Sequence, residues 1–177
     1  MQHEGAVRCL VSTFGSAGDF LPGLAIGAAL RRRHDVHFVG NPFYESRVRN
    51  AGLEFVAAGD HYDLYELLEK PPAYMDARNF GMLLRELAVP GFEAPYRVIR
   101  EVLGSERFDV VVTGELCFGA IWAAAERAVP SVLVHASPVM WMSWQAPAVF
   151  GDRTLPGFVA RPLTVAVRAP SRPRPRR

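Results

Sequence analysis

An apolar run, a glycine-containing loop and a helical pattern follow one another between residues 7 and 33. Val7 to Thr13 (VRCLVST) is apolar and rich in β-branched residues, which predicts a buried parallel strand. The segment from Phe14 to Asp19 is predicted to be a loop. From Phe20 to Arg33 apolar residues recur at helical spacing, which predicts a helix with Pro22 in its first turn. A strand that leads through such a loop into a helix is typical of open α/β sheets.

The same alternation continues to about residue 136. Further strands are predicted over Asp35 to Gly40, Leu53 to Ala57, Phe108 to Thr113 and Ser131 to His135. Helices are predicted over about 43–51, within 62–104, where prolines interrupt the pattern, and over 118–127. The β-α-β-α-β order predicts an α/β fold, a Rossmann-like parallel sheet with helices on both faces.

Length and composition indicate one globular domain followed by a tail. The 177 residues are 50% hydrophobic and 21% charged, which is ordinary for a folded domain. We predict a domain over residues 1–150 and a disordered Pro/Arg-rich tail over residues 151–177. Without the six arginines beyond Gly157, 14 basic residues stand against 18 acidic ones. A net acidic body argues against a nucleic-acid-binding surface.

The cysteine content, the N-terminal sequence and the positions of the prolines argue against a metal site, a secretory signal and a transmembrane segment. Cys9 and Cys117 are the only cysteines and form no CxxC pair, so no metal site is predicted. The N-terminus lacks a secretory signal, and the charge-free stretch 128–151 contains three prolines, so no transmembrane segment is expected. We therefore predict a cytoplasmic protein. Arg31 to Arg33 are interpreted as a solvated helix end, with peripheral contact to anionic lipid as the alternative.

The glycine loop differs from the common phosphate-binding signatures. Its glycines do not fit the GxGxxG fingerprint, and no GK[ST] follows them. The second predicted strand ends in Val39-Gly40-Asn41, without the acidic residue that binds an NAD ribose. Half of an NAD-dependent dehydrogenase is therefore disfavoured, and no cofactor is predicted.

Asp19 is the candidate catalytic residue of this loop. A carboxylate at the start of a helix is stabilised by the helix dipole, and the loop lies at the carboxyl edge of the predicted sheet, where open α/β proteins bind ligands. Such a group would repel a pyrophosphate but could accept the proton of a hydroxyl group. The alternative is that Asp19 only caps the helix, a role that aspartate commonly fills.

The sequence resembles a known family over about residues 7–138. The segments STFGSAGDFLPGLAIGAALRRR, HDVHFVGNPFYESRVRNAGLEFVAAG and FDVVVTGELCFGAIWAAAERAVPSVLVHASP are similar to the N-terminal, acceptor-binding domain of GT-B glycosyltransferases. The similarity points to the branch of sterol and antibiotic glucosyltransferases, of the glycosyltransferase family 28 N-terminal type. It implies a hexosyltransferase that moves a hexose from a nucleotide sugar to a hydroxyl of a lipid, sterol or natural-product acceptor.

The resemblance also implies roles for the loop and for the reaction partners. Asp19 would be the general base, and Gly15, Ser16 and Gly18 would face the donor phosphates. The nucleotide sugar would be a co-substrate rather than a cofactor. We expect donor binding to need a C-terminal domain that these 177 residues do not contain, or a separate chain.

Four further residues are predicted to lie around the acceptor. Glu115 follows the fourth predicted strand, and His135 and Ser137 close the fifth, at the same sheet edge as Asp19. Trp141 could form an apolar wall of the acceptor pocket. For each of them a purely structural role is the alternative. The alternative for the whole chain is a non-catalytic, truncated binding module without a donor domain.

Overall fold

The computed structural model describes residues 5–61, 63, 89–136, 149–150 and 153–154. Its elements in chain order are β1 (Arg8–Ser12), α1 (Ala17–Leu30), β2 (Asp35–Gly40), a 3-10 turn (Pro42–Tyr44), α2 (Glu45–Asn50), β3 (Glu54–Ala57), α3 (Val89–Ser105), β4 (Val110–Gly114), α4 (Phe118–Glu126), β5 (Ser131–Val134), β6 (Val149–Phe150) and β7 (Arg153–Thr154). None of the helices in this described part is long and apolar enough to cross a membrane.

The first five strands form one parallel sheet in the order β3-β2-β1-β4-β5. β1 lies at its centre, and the chain passes from β1 to one edge and then returns to the other side of β1. The prediction of a Rossmann-like α/β sheet is confirmed. In such a sheet the ligand site is expected where the strand order reverses, at the carboxyl ends of β1 and β4.

Alternating residues of the central strands build a hydrophobic core on each face of the sheet. On one face, Leu10 of β1 packs in a cluster with Ile99 of α3 and Ala123 of α4. On the other face, Val11 of β1 packs in a cluster with Phe20 of α1. Both faces of β1 are buried, which accounts for its nearly continuous apolar sequence.

The structure corrects the predicted start of the first helix. α1 begins at Ala17, three residues before the predicted Phe20, because Ser16 caps it and Asp19 lies in its first turn. Pro22 therefore lies inside the helix rather than in its first turn. Of the helical pattern predicted within 62–104, the described part is α3, which contains Pro95. The rest of that pattern lies almost entirely outside the described residues.

The chain divides into two compact units, Met1–Ala136 and Ser137–Arg177. The first contains the parallel sheet and its helices. In the second, the described residues form a two-stranded antiparallel pair in which Val149 lies opposite Thr154. The predicted domain boundary at residue 150 falls inside this pair, and the remainder of the predicted Pro/Arg-rich tail lies outside the described residues.

Candidate functional site

A cleft lies at the carboxyl ends of β1, β4 and β5. We call it the edge cleft. Its apolar walls come from Val11, Pro22, Gly23, Val112, Gly114, Val134 and Ala136. Its polar walls come from Ser12, Thr13, Asp19, Thr113 and Glu115. This is the position at which the strand order predicts a ligand site.

The Asp19 carboxylate lines the edge cleft and also caps α1. Its Oδ2 accepts a hydrogen bond from the Ser16 backbone N–H at 2.9 Å and another from the Ser16 hydroxyl at 3.1 Å. The Gly18 N–H in turn donates to Ser16 Oγ at 3.2 Å, which completes a capping box. No described residue bonds the second oxygen, Oδ1. In this structure the Asp19 side chain therefore both caps α1 and lines the edge cleft.

Gly15 makes this arrangement of Asp19 possible. Its φ of +123° is one that residues with a side chain rarely adopt, and a Cβ at this position would overlap the Asp19 carboxylate. At Gly18, by contrast, a Cβ would meet Ser16 Oγ at an ordinary 3.4 Å. Gly15, Ser16 and Gly18 are not among the residues that line the edge cleft, so within the described structure they shape the turn that holds Asp19. Their contact with donor phosphates stays a prediction.

Glu115 and His135 come together at the same sheet edge. Glu115 lies in the tight turn after β4, where the Cys117 N–H donates to the Gly114 carbonyl at 3.2 Å. The Glu115 side chain is buried, lines the edge cleft, and places Oε2 3.3 Å from Nδ1 of His135, the residue after β5. The structure thus brings the two residues into contact. Their role toward an acceptor stays a prediction, and Ser137 and Trp141 lie outside the described residues.

The buried hydroxyl groups of Ser12 and Thr113, which line the edge cleft, have polar partners within the protein. The fully buried Ser12 and Cys117 place Oγ and Sγ 3.3 Å apart, and Thr113 Oγ1 donates to the Gly114 carbonyl at 3.3 Å. Burial raises the pKa of the Cys117 thiol, although hydrogen bonds with Ser12 and Thr113 act in the opposite direction. Cys117 is therefore a protonated packing residue rather than a nucleophile.

The charge of the edge cleft is negative. Of the described residues that line it, Asp19 and Glu115 are the charged ones, and none of those described is a lysine or an arginine. A diphosphate placed there would meet two carboxylates and, among the described lining residues, no lysine or arginine, whereas a hydroxyl group would meet hydrogen-bond acceptors. The described residues also include no group of three or more His, Cys, Asp or Glu side chains that could hold a metal ion.

Sequence reasoning missed the polar residues at the strand ends, namely Ser12, Thr13 and Thr113. Each lies within one residue of the carboxyl end of β1 or β4, at the edge where parallel sheets bind ligands. A polar residue that interrupts an otherwise apolar strand at its carboxyl end was the signal that could have identified them.

Several solved structures with a similar fold are glycosyltransferases, whereas no protein-family model and no curated protein matches the chain. The glycotransferase of kitacinnamycin matches with a TM-score of 0.58 and 19% identity, over 75% of this chain and 31% of its own. The calicheamicin glycosyltransferase CalG4 matches with a TM-score of 0.58 and 21% identity, over 74% of this chain and 32% of its own.

A third match is the Streptomyces sp. SF2575 glycosyltransferase SsfS6 complexed with thymidine diphosphate, with a TM-score of 0.56 and 18% identity, over 73% of this chain and 38% of its own. The chain thus spans about a third of the length of these proteins. At this level of identity the likeness concerns the fold: the five-stranded parallel sheet and its helices match one half of the GT-B fold of natural-product glycosyltransferases.

Proposed function

We propose that the chain is the acceptor-binding half of a hexosyltransferase of the GT-B type. The observation that carries this proposal is the Asp19 carboxylate, which lines a cleft at the carboxyl edge of a sheet that matches half of that fold. The acceptor is a hydroxyl-bearing lipid, sterol or natural product. The apolar walls of the edge cleft, which include Val11, Val112 and Val134, support an acceptor with an apolar body.

Asp19 acts as the general base in this proposal. Its Oδ2 is held by Ser16, so the carboxylate has a fixed orientation and Oδ1 is left to accept the proton of the acceptor hydroxyl. The acceptor oxygen then forms a bond to the anomeric carbon of the sugar, while the bond from that carbon to the nucleoside diphosphate breaks. General-base assistance of this kind contributes about 10²- to 10⁴-fold in rate.

The donor is a nucleotide sugar held outside the edge cleft. The negative charge of the cleft disfavours a diphosphate there, so the donor needs a further binding surface, supplied by a C-terminal domain or by a separate chain. One structural neighbour is complexed with thymidine diphosphate, which supports a thymidine-linked or similar nucleotide sugar as the donor to test first. Gly15, Ser16 and Gly18 are the proposed contacts to its phosphates.

The experiment is a transfer assay with matched carboxylate variants. The chain, alone and with a donor-binding partner domain, is supplied with thymidine- and uridine-linked hexoses and a set of hydrophobic alcohols, and glycoside and released nucleotide are measured. Asp19→Asn keeps a cap acceptor but removes the base, so we expect a loss of about 10²- to 10⁴-fold. The control Glu101→Gln, at an exposed position of α3, should retain full activity.

Two outcomes would contradict parts of the proposal. Transfer that persists in Asp19→Asn would remove the base assignment. Acceptor binding without transfer under any donor condition would favour the alternative of a non-catalytic binding module.

A further inference from the structure

The side chain of Thr13, directly after β1, is unusual among the polar groups of the edge cleft. Only 6% of its surface is exposed, yet its hydroxyl makes no hydrogen bond to any described residue. Buried polar groups in folded proteins are paired as a rule, because an unpaired one loses its bonds to water without replacement. An unpaired hydroxyl in the wall of a cleft is accounted for if a ligand supplies the missing partner.

Thr13 lines the edge cleft, and it differs from the neighbouring hydroxyl-bearing residues in that its hydroxyl bonds no described residue. The neighbouring hydroxyls are used internally, since Ser12 pairs with Cys117 and Thr113 donates to Gly114. The Thr13 methyl group lies over Gly23 of α1, where a Cβ would collide with it. The methyl group thus packs against α1, while the hydroxyl, which can both donate and accept, has no hydrogen-bond partner among the described residues.

We propose that the Thr13 hydroxyl is a binding group of the edge cleft and that the ligand it binds carries a hydroxyl or ammonium group rather than an acid. This inference rests on the proposed function, because it takes the cleft to be the acceptor site. Asp19 and Glu115 are hydrogen-bond acceptors, and Thr13 can donate or accept. A carboxylate or phosphate on the ligand would face two like charges, with no lysine or arginine among the described lining residues.

The test uses three probes that share one apolar body, and it uses no nucleotide sugar. Benzylamine, benzyl alcohol and benzoate are titrated into the 177-residue chain, and binding is followed by NMR chemical shifts. We expect protonated benzylamine to bind most tightly, benzyl alcohol next, and benzoate not to saturate. Glu115→Gln should reduce the preference for the amine over the alcohol.

Thr13→Val and Thr13→Ser separate a binding role from a structural one. Thr13→Val replaces the hydroxyl by a methyl group, so we expect benzyl alcohol to bind about 3- to 10-fold more weakly, while Thr13→Ser restores the affinity. Because the hydroxyl has no partner to lose within the described part of the chain, the thermal midpoint of the ligand-free Thr13→Val chain should stay unchanged or rise.

The inference is overturned if benzoate binds as well as benzylamine, if Thr13→Val binds benzyl alcohol like the parent chain, or if Thr13→Val lowers the midpoint or fails to fold. These readouts do not depend on sugar transfer. Probe binding without sugar transfer would support the Thr13 inference and contradict the proposed catalysis. Sugar transfer that Thr13→Val does not affect would support the proposed catalysis and contradict the Thr13 inference.

Discussion

The two oxygens of the Asp19 carboxylate have different surroundings. Oδ2 accepts two hydrogen bonds from Ser16, whereas Oδ1 has no described partner in a side chain that lines the edge cleft. Capping fixes the side chain and thereby lowers the entropy that would be lost when a substrate hydroxyl binds to it. A cap and a base are therefore compatible at this residue, although the sequence pattern alone left them as alternatives.

Gly15 and Gly18 provide a matched test of this turn. Gly15→Ala should lower the free energy of unfolding by about 1–3 kcal/mol, because its backbone has positive φ and its Cβ would overlap the Asp19 carboxylate. Gly18→Ala should change it by less than about 0.5 kcal/mol or raise it, since Gly18 is helical and has room for a Cβ. Urea unfolding of both variants checks this, and equal effects would contradict the assigned role of Gly15.

Individual site residues were predictable only where the chemistry depends on a local pattern. Asp19 follows a glycine loop and precedes a helix, and this order is visible in the sequence. The pairing of Ser12 with Cys117 joins residues 105 positions apart, so it depends on β1 and β4 lying side by side. The position of the Thr13 methyl group over Gly23 likewise depends on the packing of α1 against the strand. No local pattern carries that information.

At the level of elements, strands were easier to predict than helix ends. The bounds of β2 agree with the predicted Asp35 to Gly40, because an apolar run between polar turns marks a buried strand at both ends. The start of α1 was placed three residues late, because the apolar repeat begins at Phe20 while the first turn is formed by small and polar residues. The cap residues Ser16 and Asp19, rather than the hydrophobic repeat, determine where that helix starts.

The end of α4 gives an element-scale prediction. Ala128 follows the helix with a φ of +56°, while the Ala128 N–H donates to Ala125 O and the Val129 N–H donates to Ala124 O, the bonds of a Schellman motif. Glycine is favoured at this position, so Ala128→Gly should raise the free energy of unfolding by about 0.5–1 kcal/mol. The control Ala125→Gly, inside α4, should lower it by about 1 kcal/mol. A loss of stability in Ala128→Gly, measured by urea unfolding, would contradict the assignment.

The contact between α3 and α4 gives a prediction on pH dependence. Tyr96 Oη donates to Glu126 Oε2 at 2.7 Å, and Arg100 Nε donates to Oε1 at 2.9 Å. The hydrogen bond from Tyr96, followed by that from Arg100, lowers the pKa of Glu126 below its ordinary 4.5. As the pH falls, Glu126 is therefore protonated in the unfolded chain before it is protonated in the folded chain. The stabilisation that ionised Glu126 contributes to the fold is complete above about pH 4.5 and is lost as the pH falls through the folded-state pKa.

Glu126→Gln should accordingly lower the urea midpoint at pH 7, and its difference from the parent chain should shrink below pH 4.5. Glu101→Gln is the control, because Glu101 is an exposed carboxylate of α3 without a described partner. A difference for Glu126→Gln that stayed constant from pH 7 to pH 3 would show that the effect comes from packing rather than from ionisation.

At the scale of the whole molecule, the parallel sheet was predictable from the alternation of elements, whereas its strand order was not predicted. Parallel strands joined by helices form right-handed crossovers, which leaves few arrangements for five strands. The order β3-β2-β1-β4-β5 places β1 and β4 side by side, and so brings Asp19 and Glu115 to one cleft although they lie 96 positions apart in the sequence. The sequence of the second unit, from Ser137 on, shows no clear helical or strand periodicity. The strand pair described in this unit was therefore not predicted.

The unit Met1–Ala136 should fold without the residues that follow it. Both hydrophobic clusters of the sheet consist of residues before position 137, so a chain that ends at Ala136 keeps the described core. We expect it to retain its α/β circular dichroism and to unfold in urea in a single transition. The same variant tests the predicted acceptor contacts of Ser137 and Trp141, because a folded chain that binds benzyl alcohol more weakly than the parent would place part of the acceptor site beyond Ala136. A chain that does not fold would instead show that the second unit contributes to the stability of the sheet.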